Sequence, residues 1–277
     1  MLAITDAEYS EFTLLVNQLT GIVLDSSKRY LIETRIGPIL DELKLASYRQ
    51  LLELVRMGAR RDLQEKIIDA ITTNETFFFR EPGAYDLLRR RLIPKVLDAR
   101  IVSKSRDPMR IWSAACSSGQ EMYSIGISAM ELIGEVASEK IVMEGTDISE
   151  QILARASTGQ YSQFEINRGM PANLLQKYFT AAQGGFRIKD SLRAMCRFNK
   201  ANLLKLGSQV PRYDVVFCRN VSIYFSPEER IVLFKSLAAS LVPQGALIVG
   251  STEQVRDCDS CLKLMTDFPG CYYYQKV

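Results

Sequence analysis

The amino-acid sequence predicts an α/β protein: an open sheet with crossover helices, preceded by a small helical domain and carrying a β-rich insertion. Three observations carry this. Arg110–Ala115 reads as a buried strand, Cys116–Gly119 as a small-residue turn and Gln120–Glu121 as the opening of a helix, the unit from which open α/β sheets are built. Residues 1–73 keep a helical period throughout. Between Tyr161 and Phe198 the regular alternation of the sheet region fails.

With 277 residues the chain has room for one large core and a small second domain. Its composition, 47% hydrophobic and 24% charged, is that of a soluble globular protein, and a net charge of +3 is too small to imply nucleic acid. There is no histidine, which excludes Ser-His and Cys-His catalytic pairs and every His-ligated metal site. The six cysteines are scattered and read as reduced thiols of a cytosolic protein; Cys258-Asp-Ser-Cys261 has redox or zinc spacing, but no second such pair accompanies it. The N-terminus lacks the pattern of a signal peptide, and no apolar run approaches the roughly 18 residues of a membrane span.

In the helical region, Asp6 is placed to cap a first helix with Phe12, Leu15, Val16 and Leu19 on one face and Gly21 at its end. Ser26 or Ser27 is placed to cap a second, with Ile32, Ile36, Ile39, Leu40 and Leu43 on its face and a kink or break expected at Gly37-Pro38. Shorter helices follow at Tyr48–Met57 and Asp62–Ile71. Lys28, Arg29 and Arg35 on the second helix are either a solvated face or a docking surface for an acidic partner.

Thr72–Pro82, TTNETFFFREP, breaks the helical period. The three phenylalanines suit a hinge packed between domains, with Asn74, Thr76 and Arg80 free to face a ligand cleft. A helix over Ala84–Ala99 leads to the opening strand. After Gln120–Ile133, a second strand over Lys140–Thr146 ends at Asp147, and residues 149–157 form a short helix. QYSQF, QKYFTAAQGGFRI and MCRFNK are assigned as short strands of the insertion, with a turn at Gly184-Gly185. Arg212–Cys218 and Ala246–Gly250 are strands flanking a helix at Pro227–Leu241, and Leu262–Thr266 with Cys271–Gln275 form an antiparallel hairpin.

Asp147 stands where an acidic side chain accepts hydrogen bonds from ribose hydroxyls, or where one caps the following helix. The turn has one glycine, where a pyrophosphate needs a glycine-lined nest of amides. Glu121 at the helix start repels a phosphate and suits a cationic group. The pattern favours S-adenosyl-L-methionine, with a ribose, an ammonium and a sulfonium, over a nicotinamide dinucleotide.

TNETFFFRE, WSAACSSGQEMYS, TDIS, NLL and FCRNVSIYFSPEER resemble, in that order, the motifs of the CheR-type chemoreceptor methyltransferases, and the likeness runs over nearly the whole chain. The resemblance implies a Rossmann-like class I methyltransferase sheet (84–277), an N-terminal helical domain (1–73), a linker contributing to the cofactor cleft (74–83) and an inserted antiparallel β-subdomain at about 158–200. It implies methyl transfer from S-adenosyl-L-methionine to glutamate side chains of chemoreceptors, giving methyl esters and S-adenosyl-L-homocysteine. The positions that match cofactor contacts are Asn74, Thr76, Arg80, Glu121, Asp147, Asn202, Leu203, Asn220 and Val221. Arg80 and Tyr224 match the residues nearest the transferred methyl.

The chain also departs from that pattern. Gln120 replaces a second glutamate, Met122 a proline, and Gly250-Ser251-Thr252-Glu253 a segment with histidine in second place. Pro38 occupies a part of the second helix where arginines are common in the family, which counts against the family's receptor-docking surface there. The Gly184-Gly185 turn is short, which points to an enzyme that needs no receptor tail peptide. A cytoplasmic monomer acting on the cytoplasmic domains of receptors, docked by Lys28, Arg29, Arg35 and the β-subdomain, is expected. No membrane insertion, metal or C-terminal extension beyond Val277 is expected. A sensory module that binds the cofactor without transferring methyl groups is the competing reading.

Overall fold

The structure, a computed structural model, describes residues 2–58, 61–207, 211–258 and 260–277. Four helices come first: α1 (Asp6–Thr20), α2 (Arg29–Leu43), α3 (Tyr48–Arg56) and α4 (Arg61–Ile71). Their inner faces close a core of their own around Phe12, Val16, Ile32, Ile36, Tyr48 and Leu51, all fully buried. The caps lie one residue earlier than the sequence suggested. Thr5, not Asp6, caps α1: its extended backbone frees the side chain to accept from the Glu8 amide, and Glu8 returns the bond. Asp25, not Ser26 or Ser27, caps the short 3-10 turn that leads into α2. Gly37-Pro38 does not interrupt α2. A proline inside a helix costs about 3 kcal/mol. Burial of Ile32, Ile36, Ile39 and Leu40 offsets that, at about 1.5–3 kcal/mol each.

After the linker, α5 (Pro82–Leu87) and α6 (Ile93–Val102) are joined by a π-helical turn at Leu88–Leu92, so the helix expected at Ala84–Ala99 is longer and locally widened. The wider turn accommodates Pro94, which lacks an amide and crowds the carbonyl four residues back. Then come β1 (Met109–Ala114), α7 (Gln120–Ile133), α8 (Ala137–Lys140), β2 (Ile141–Asp147) and α9 (Glu150–Thr158). The inserted part holds β3 (Gln160–Tyr161), α10 (Gln163–Asn167), α11 (Ala172–Tyr178), β4 (Phe179–Ala182), β5 (Gly185–Ile188) and α12 (Asp190–Arg193). Last are β6 (Cys196–Lys200), β7 (Tyr213–Cys218), α13 (Pro227–Ser240), β8 (Leu241–Val249), β9 (Leu262–Met265) and β10 (Tyr273–Lys276).

The seven-stranded sheet has the order β6-β2-β1-β7-β8-β10-β9. Its first five strands pair in parallel, and β10 runs antiparallel to both β8 and β9, as the terminal hairpin was expected to. This is the Rossmann-like sheet that the resemblance implied. β1 and β7 lie between two layers of helices, which is why RIWSA and YDVVFC read as nearly unbroken buried runs. Ile111, Val215 and Phe217 face one core, and Trp112, Ala114 and Val216 face the other.

One expectation about the insertion is corrected. Cys196–Lys200 pairs in parallel with β2 from Met143 to Asp147 and is an edge strand of the main sheet. The inserted sheet is β3-β5-β4 alone, antiparallel and ending before residue 190. CRFNK is exposed on its outer side, so it alternates like a surface strand and carries no local mark of the sheet it joins. Three short helices inside the insertion also went unread.

Candidate active site

β1 connects to β2 on one side, while β7 lies on the other side of β1. The carboxyl ends of these strands flank the point where the sheet order reverses, which is where open α/β sheets hold ligands. A cleft with about 960 Å³ of open space lies there. Among its lining residues are Asn74, Thr76, Arg80, Glu121, Asp147, Asn202, Leu203, Asn220, Val221 and Tyr224, drawn from segments far apart in sequence.

The turn after β1 forms the floor. Ala115 and Ser117 adopt left-handed backbone (φ 63° and 49°), as do Phe79, Glu81 and Asn220 (φ 53°, 56° and 58°) in the neighbouring walls. Non-glycine residues in that region are strained, and five of the nine among the described residues stand at or beside this cleft. The turn's glycine serves packing: a Cβ on Gly119 (φ 92°) would lie 3.1 Å from Ala156 Cβ and from the Tyr161 hydroxyl. That hydroxyl donates to the Ser118 carbonyl at 2.7 Å, so the inserted part braces the turn.

Asp147 is 6% exposed and closes β2. Its Oδ2 accepts from the Ser117 amide at 2.9 Å and its Oδ1 from the Ser149 amide at 3.1 Å. Burial holds its carboxyl above the ordinary range, with the backbone amides partly countering it. Ser149, not Asp147, caps α9, accepting from the Ile152 amide at 3.1 Å. Asp147 is therefore a buried acid at a strand end with no capping duty.

Glu121 does not stand alone. Its Oε1 accepts from the Ser113 hydroxyl and its Oε2 from Arg219 Nη1, both at 2.8 Å. Arg219, 7% exposed, also pairs with Glu81 at 3.2 Å and donates to the Arg80 carbonyl at 2.6 Å. Burial works to lower the Arg219 guanidinium; Glu121, Tyr85 and Glu81 outweigh it and hold it charged. For Glu81, burial pushes the carboxyl up, and Arg219 with its hydrogen bonds brings it below the usual range. Two carboxylates share one cation, so this wall keeps a net negative charge even though Glu121 is paired.

The opposite wall hangs on Glu253, 7% exposed. Its carboxylate accepts from the Asn220, Val221, Ser222 and Gly250 amides and from the Ser222 hydroxyl, at 2.5–3.0 Å. Arg219 and Glu253 were not named as site residues from sequence. Arg219 sits inside the CRNV segment. Glu253 lies in a stretch where only its departure from the family pattern stood out.

Asn202 Oδ1 accepts from the Leu204 amide, and its Nδ2 donates to the Leu19 carbonyl at the end of α1, both at 3.0 Å. The Val23 amide donates to the Tyr224 carbonyl at 2.9 Å, so the N-terminal helices close that side. The three phenylalanines separate as their spacing required. Phe78 is fully buried against Tyr161 and Phe179, Phe79 packs on Tyr85, and Phe77 lines the cleft. Ser117 Oγ donates to the Asn74 carbonyl at 3.0 Å. Arg80 forms no ion pair among the described residues; its Nη1 donates to the Glu75 carbonyl at 3.4 Å, and its guanidinium lies 5.6 Å from the Phe77 ring. Among the described residues the Tyr224 hydroxyl has no hydrogen-bond partner, although the residue is half-buried.

Lys28, in the 3-10 turn that leads into α2, and Arg29 and Arg35 of α2 each have a partner within the chain, with Lys28 and Arg29 still partly exposed. Arg35 donates to the Ile71 and Thr72 carbonyls at 2.8 and 3.2 Å and so anchors the hinge. Arg29 donates to the Ile4 carbonyl and pairs with Asp6, and Lys28 faces Asp25 at 3.6 Å. No helix of the described residues is long and apolar enough to cross a membrane.

The family model described as the CheR methyltransferase SAM binding domain matches residues 74–267, and that of the CheR methyltransferase all-alpha domain matches residues 7–72. A chemotaxis protein methyltransferase of Vibrio parahaemolyticus is 34% identical over 278 residues, covering 99% of each chain. Chemotaxis protein methyltransferase 1 of Pseudomonas aeruginosa is 33% identical over 98% of each chain. A chemotaxis protein methyltransferase of Borreliella burgdorferi is 32% identical over 91% of this chain and 90% of its own.

Proposed function

The chain belongs to the CheR methyltransferase family, and from that premise we propose that it transfers a methyl group from S-adenosyl-L-methionine to glutamate side chains of chemoreceptors, giving glutamate 5-O-methyl esters and S-adenosyl-L-homocysteine. The observation that carries the reading is Asp147: a carboxylate buried at the strand end, lining the cleft, and free of helix capping. The surroundings fit the cofactor. An acid stands where ribose hydroxyls are held, the Glu81–Arg219–Glu121 wall is net negative toward a cationic amino-acid end, and Ile22, Leu203 and Val221 offer apolar surface to a base.

In this reading Asp147 holds the ribose, Glu121 meets the methionine end, Asn202 and Leu203 bracket the adenine, and Asn74, Thr76, Asn220 and Val221 complete the walls. When bound, S-adenosyl-L-methionine supplies an electrophilic methyl on a positively charged sulfur. An acceptor glutamate with a pKa of about 4.3 is already ionised at neutral pH, so a chain without histidine lacks nothing it needs. Arg80, with no carboxylate partner among the described residues, orients the acceptor carboxylate by charge; Tyr224 offers its hydroxyl beside it. Neither moves a proton. Orientation alone supplies on the order of 7–11 kcal/mol.

The protein acts in the cytoplasm as a monomer, meeting the receptor's cytoplasmic domain through Lys28 and Arg29 and through the inserted subdomain. Arg35, committed to the hinge, steadies the cleft and does not reach out. The short Ala182–Gly185 turn supports action without a tail peptide. Methyl-labelled S-adenosyl-L-methionine and the cytoplasmic fragments of the host's receptors test the proposal. Label on receptor glutamates, released by alkali as methanol, supports it. Cofactor binding with no label on any receptor refutes it in favour of a sensory module.

A further inference from the structure

The mouth of the cleft carries a second guanidinium that the transfer scheme leaves unused. Arg168 lies between α10 and α11 of the inserted part. The next residue, Gly169, has φ 108°, and a Cβ there would stand 2.2 Å from the Phe78 carbonyl oxygen and 3.4 Å from Phe77. Only glycine permits this approach, so the Arg168 backbone is pinned against the hinge that carries Arg80. The Arg168 guanidinium lies 5.2 Å from the Phe77 ring and 5.9 Å from the Phe164 ring. Arg80 lies 5.6 Å from the same Phe77 ring. Phe77 thus holds two cations at one rim, one from the hinge and one from the insertion.

The internal partner of Arg168 is Glu75, whose carboxylate it meets at 2.8 Å. That carboxylate is 66% exposed and Arg168 is 36% exposed, and pairs this wet contribute little to stability. An incoming carboxylate displaces Glu75 at little cost. Phe164 adds apolar surface beside them, 70% exposed. With Glu75 counted, Arg80 and Arg168 leave the rim net positive, next to an apolar platform.

We propose that Arg168 is a specificity-determining residue for the methyl acceptor: it binds a carboxylate that neighbours the acceptor glutamate on the same substrate segment, while Phe164 packs on that segment's apolar side. Glu75 holds the place of that carboxylate when no substrate is present. The proposal rests on the acceptor being a protein glutamate, as argued above. It adds that acidic neighbours of the acceptor are read, and that the insertion reads them directly at the cleft mouth.

The test is steady-state kinetics with S-adenosyl-L-methionine and purified cytoplasmic fragments of the host's receptors, alongside calorimetric binding of S-adenosyl-L-homocysteine. Arg168→Ala and Arg168→Gln are expected to raise KM for the fragment about tenfold, with kcat and product affinity changed less than twofold. Arg168→Lys recovers part of the loss, because it keeps the charge but not the fork. Glu75→Gln moves KM the other way, down about two- to threefold, and replacing an acidic neighbour of the acceptor with glutamine makes wild type resemble the Arg168 variants. Unchanged KM in Arg168→Ala, or a raised KM in Glu75→Gln, overturns the proposal and assigns the pair a structural role. If wild type itself transfers no label to any fragment, the methyltransferase reading fails first, and calorimetry with the same variants shows whether the cofactor cleft was intact.

Discussion

Glu253→Gln is the substitution that best tests how the cleft wall is built. The carboxylate takes five donors, three on Oε1 (the Val221 and Ser222 amides and the Ser222 hydroxyl) and two on Oε2 (the Asn220 and Gly250 amides). Glutamine has one acceptor oxygen. Placed at the Oε1 position, it keeps three donors and turns an amide NH2 toward the other two, donor against donor. A buried amide left unsatisfied costs about 1–3 kcal/mol. Two of them sum to about 2–6 kcal/mol, and loop relaxation with entry of water brings the expected net to about 2–4 kcal/mol. At about 2–4 °C per kcal/mol for a chain of this size, Tm falls by roughly 4–16 °C. Asn220 holds its left-handed backbone through one of the lost bonds, so the Asn220–Val221 wall relaxes too. Restoring it on binding weakens S-adenosyl-L-homocysteine by about 10–100-fold, or about 1.4–2.7 kcal/mol. Thermal unfolding and titration calorimetry read the two effects separately. Wild-type Tm together with affinity within twofold of wild type would refute this account of the wall; a lowered Tm with wild-type affinity would confine Glu253 to stability.

Other consequences concern the buried charges and the transfer step. Arg219→Ala leaves Glu81 and Glu121 facing each other without their cation. Chemical denaturation should show a loss of about 3–5 kcal/mol, whereas a loss under 1 kcal/mol contradicts the assignment. Tyr224→Phe is expected to lower kcat about tenfold while cofactor affinity stays intact, the size of one lost hydrogen bond in the transition state; near-normal turnover in the methylation assay removes the hydroxyl from the catalytic list. The carboxyl of Asp147 is held above its ordinary range by burial. Its protonated form is therefore favoured by the fold, and ionisation detracts from apo stability once pH has risen through the unfolded and then the folded pKa. As pH falls, it protonates before ordinary carboxylates near 3.9. Calorimetry with S-adenosyl-L-homocysteine should show affinity declining at a pH where those groups remain charged, and Asp147→Asn should bind weakly with a flat profile. An affinity that holds until ordinary carboxylates titrate would count against the role given to Asp147.

Much of the fold was legible because burial writes itself into local pattern. The strands β1 and β7 are buried on both faces, so their residues are apolar almost without break. The helical faces of Phe12 to Leu19 and Ile32 to Leu43 repeat every three or four residues, because one side of each helix meets a core. Caps were misjudged by one residue because neighbouring Thr5 and Asp6, or Asp25 and Ser26, are equally able to cap in isolation; the entry angle of the chain selects between them. The strand β6 was misplaced because its surface alternation is the same whichever sheet it edges.

The site divides in the same way. Sequence by itself determined the turn after β1, the acid that ends β2, the aromatic hinge and the family, since each is a run of residue types in order along the chain. Tertiary structure alone decided that Glu121 is paired with Arg219, that Arg35 anchors the hinge, that Glu253 gathers the Asn220 loop and that Arg168 reaches the cleft mouth. Each of these joins residues between about 30 and 100 positions apart. A hydrogen bond or ion pair acts over about 3 Å of space and leaves no period in the sequence. Which charges meet is set by where the sheet order and the close approach at Gly169 bring the segments together.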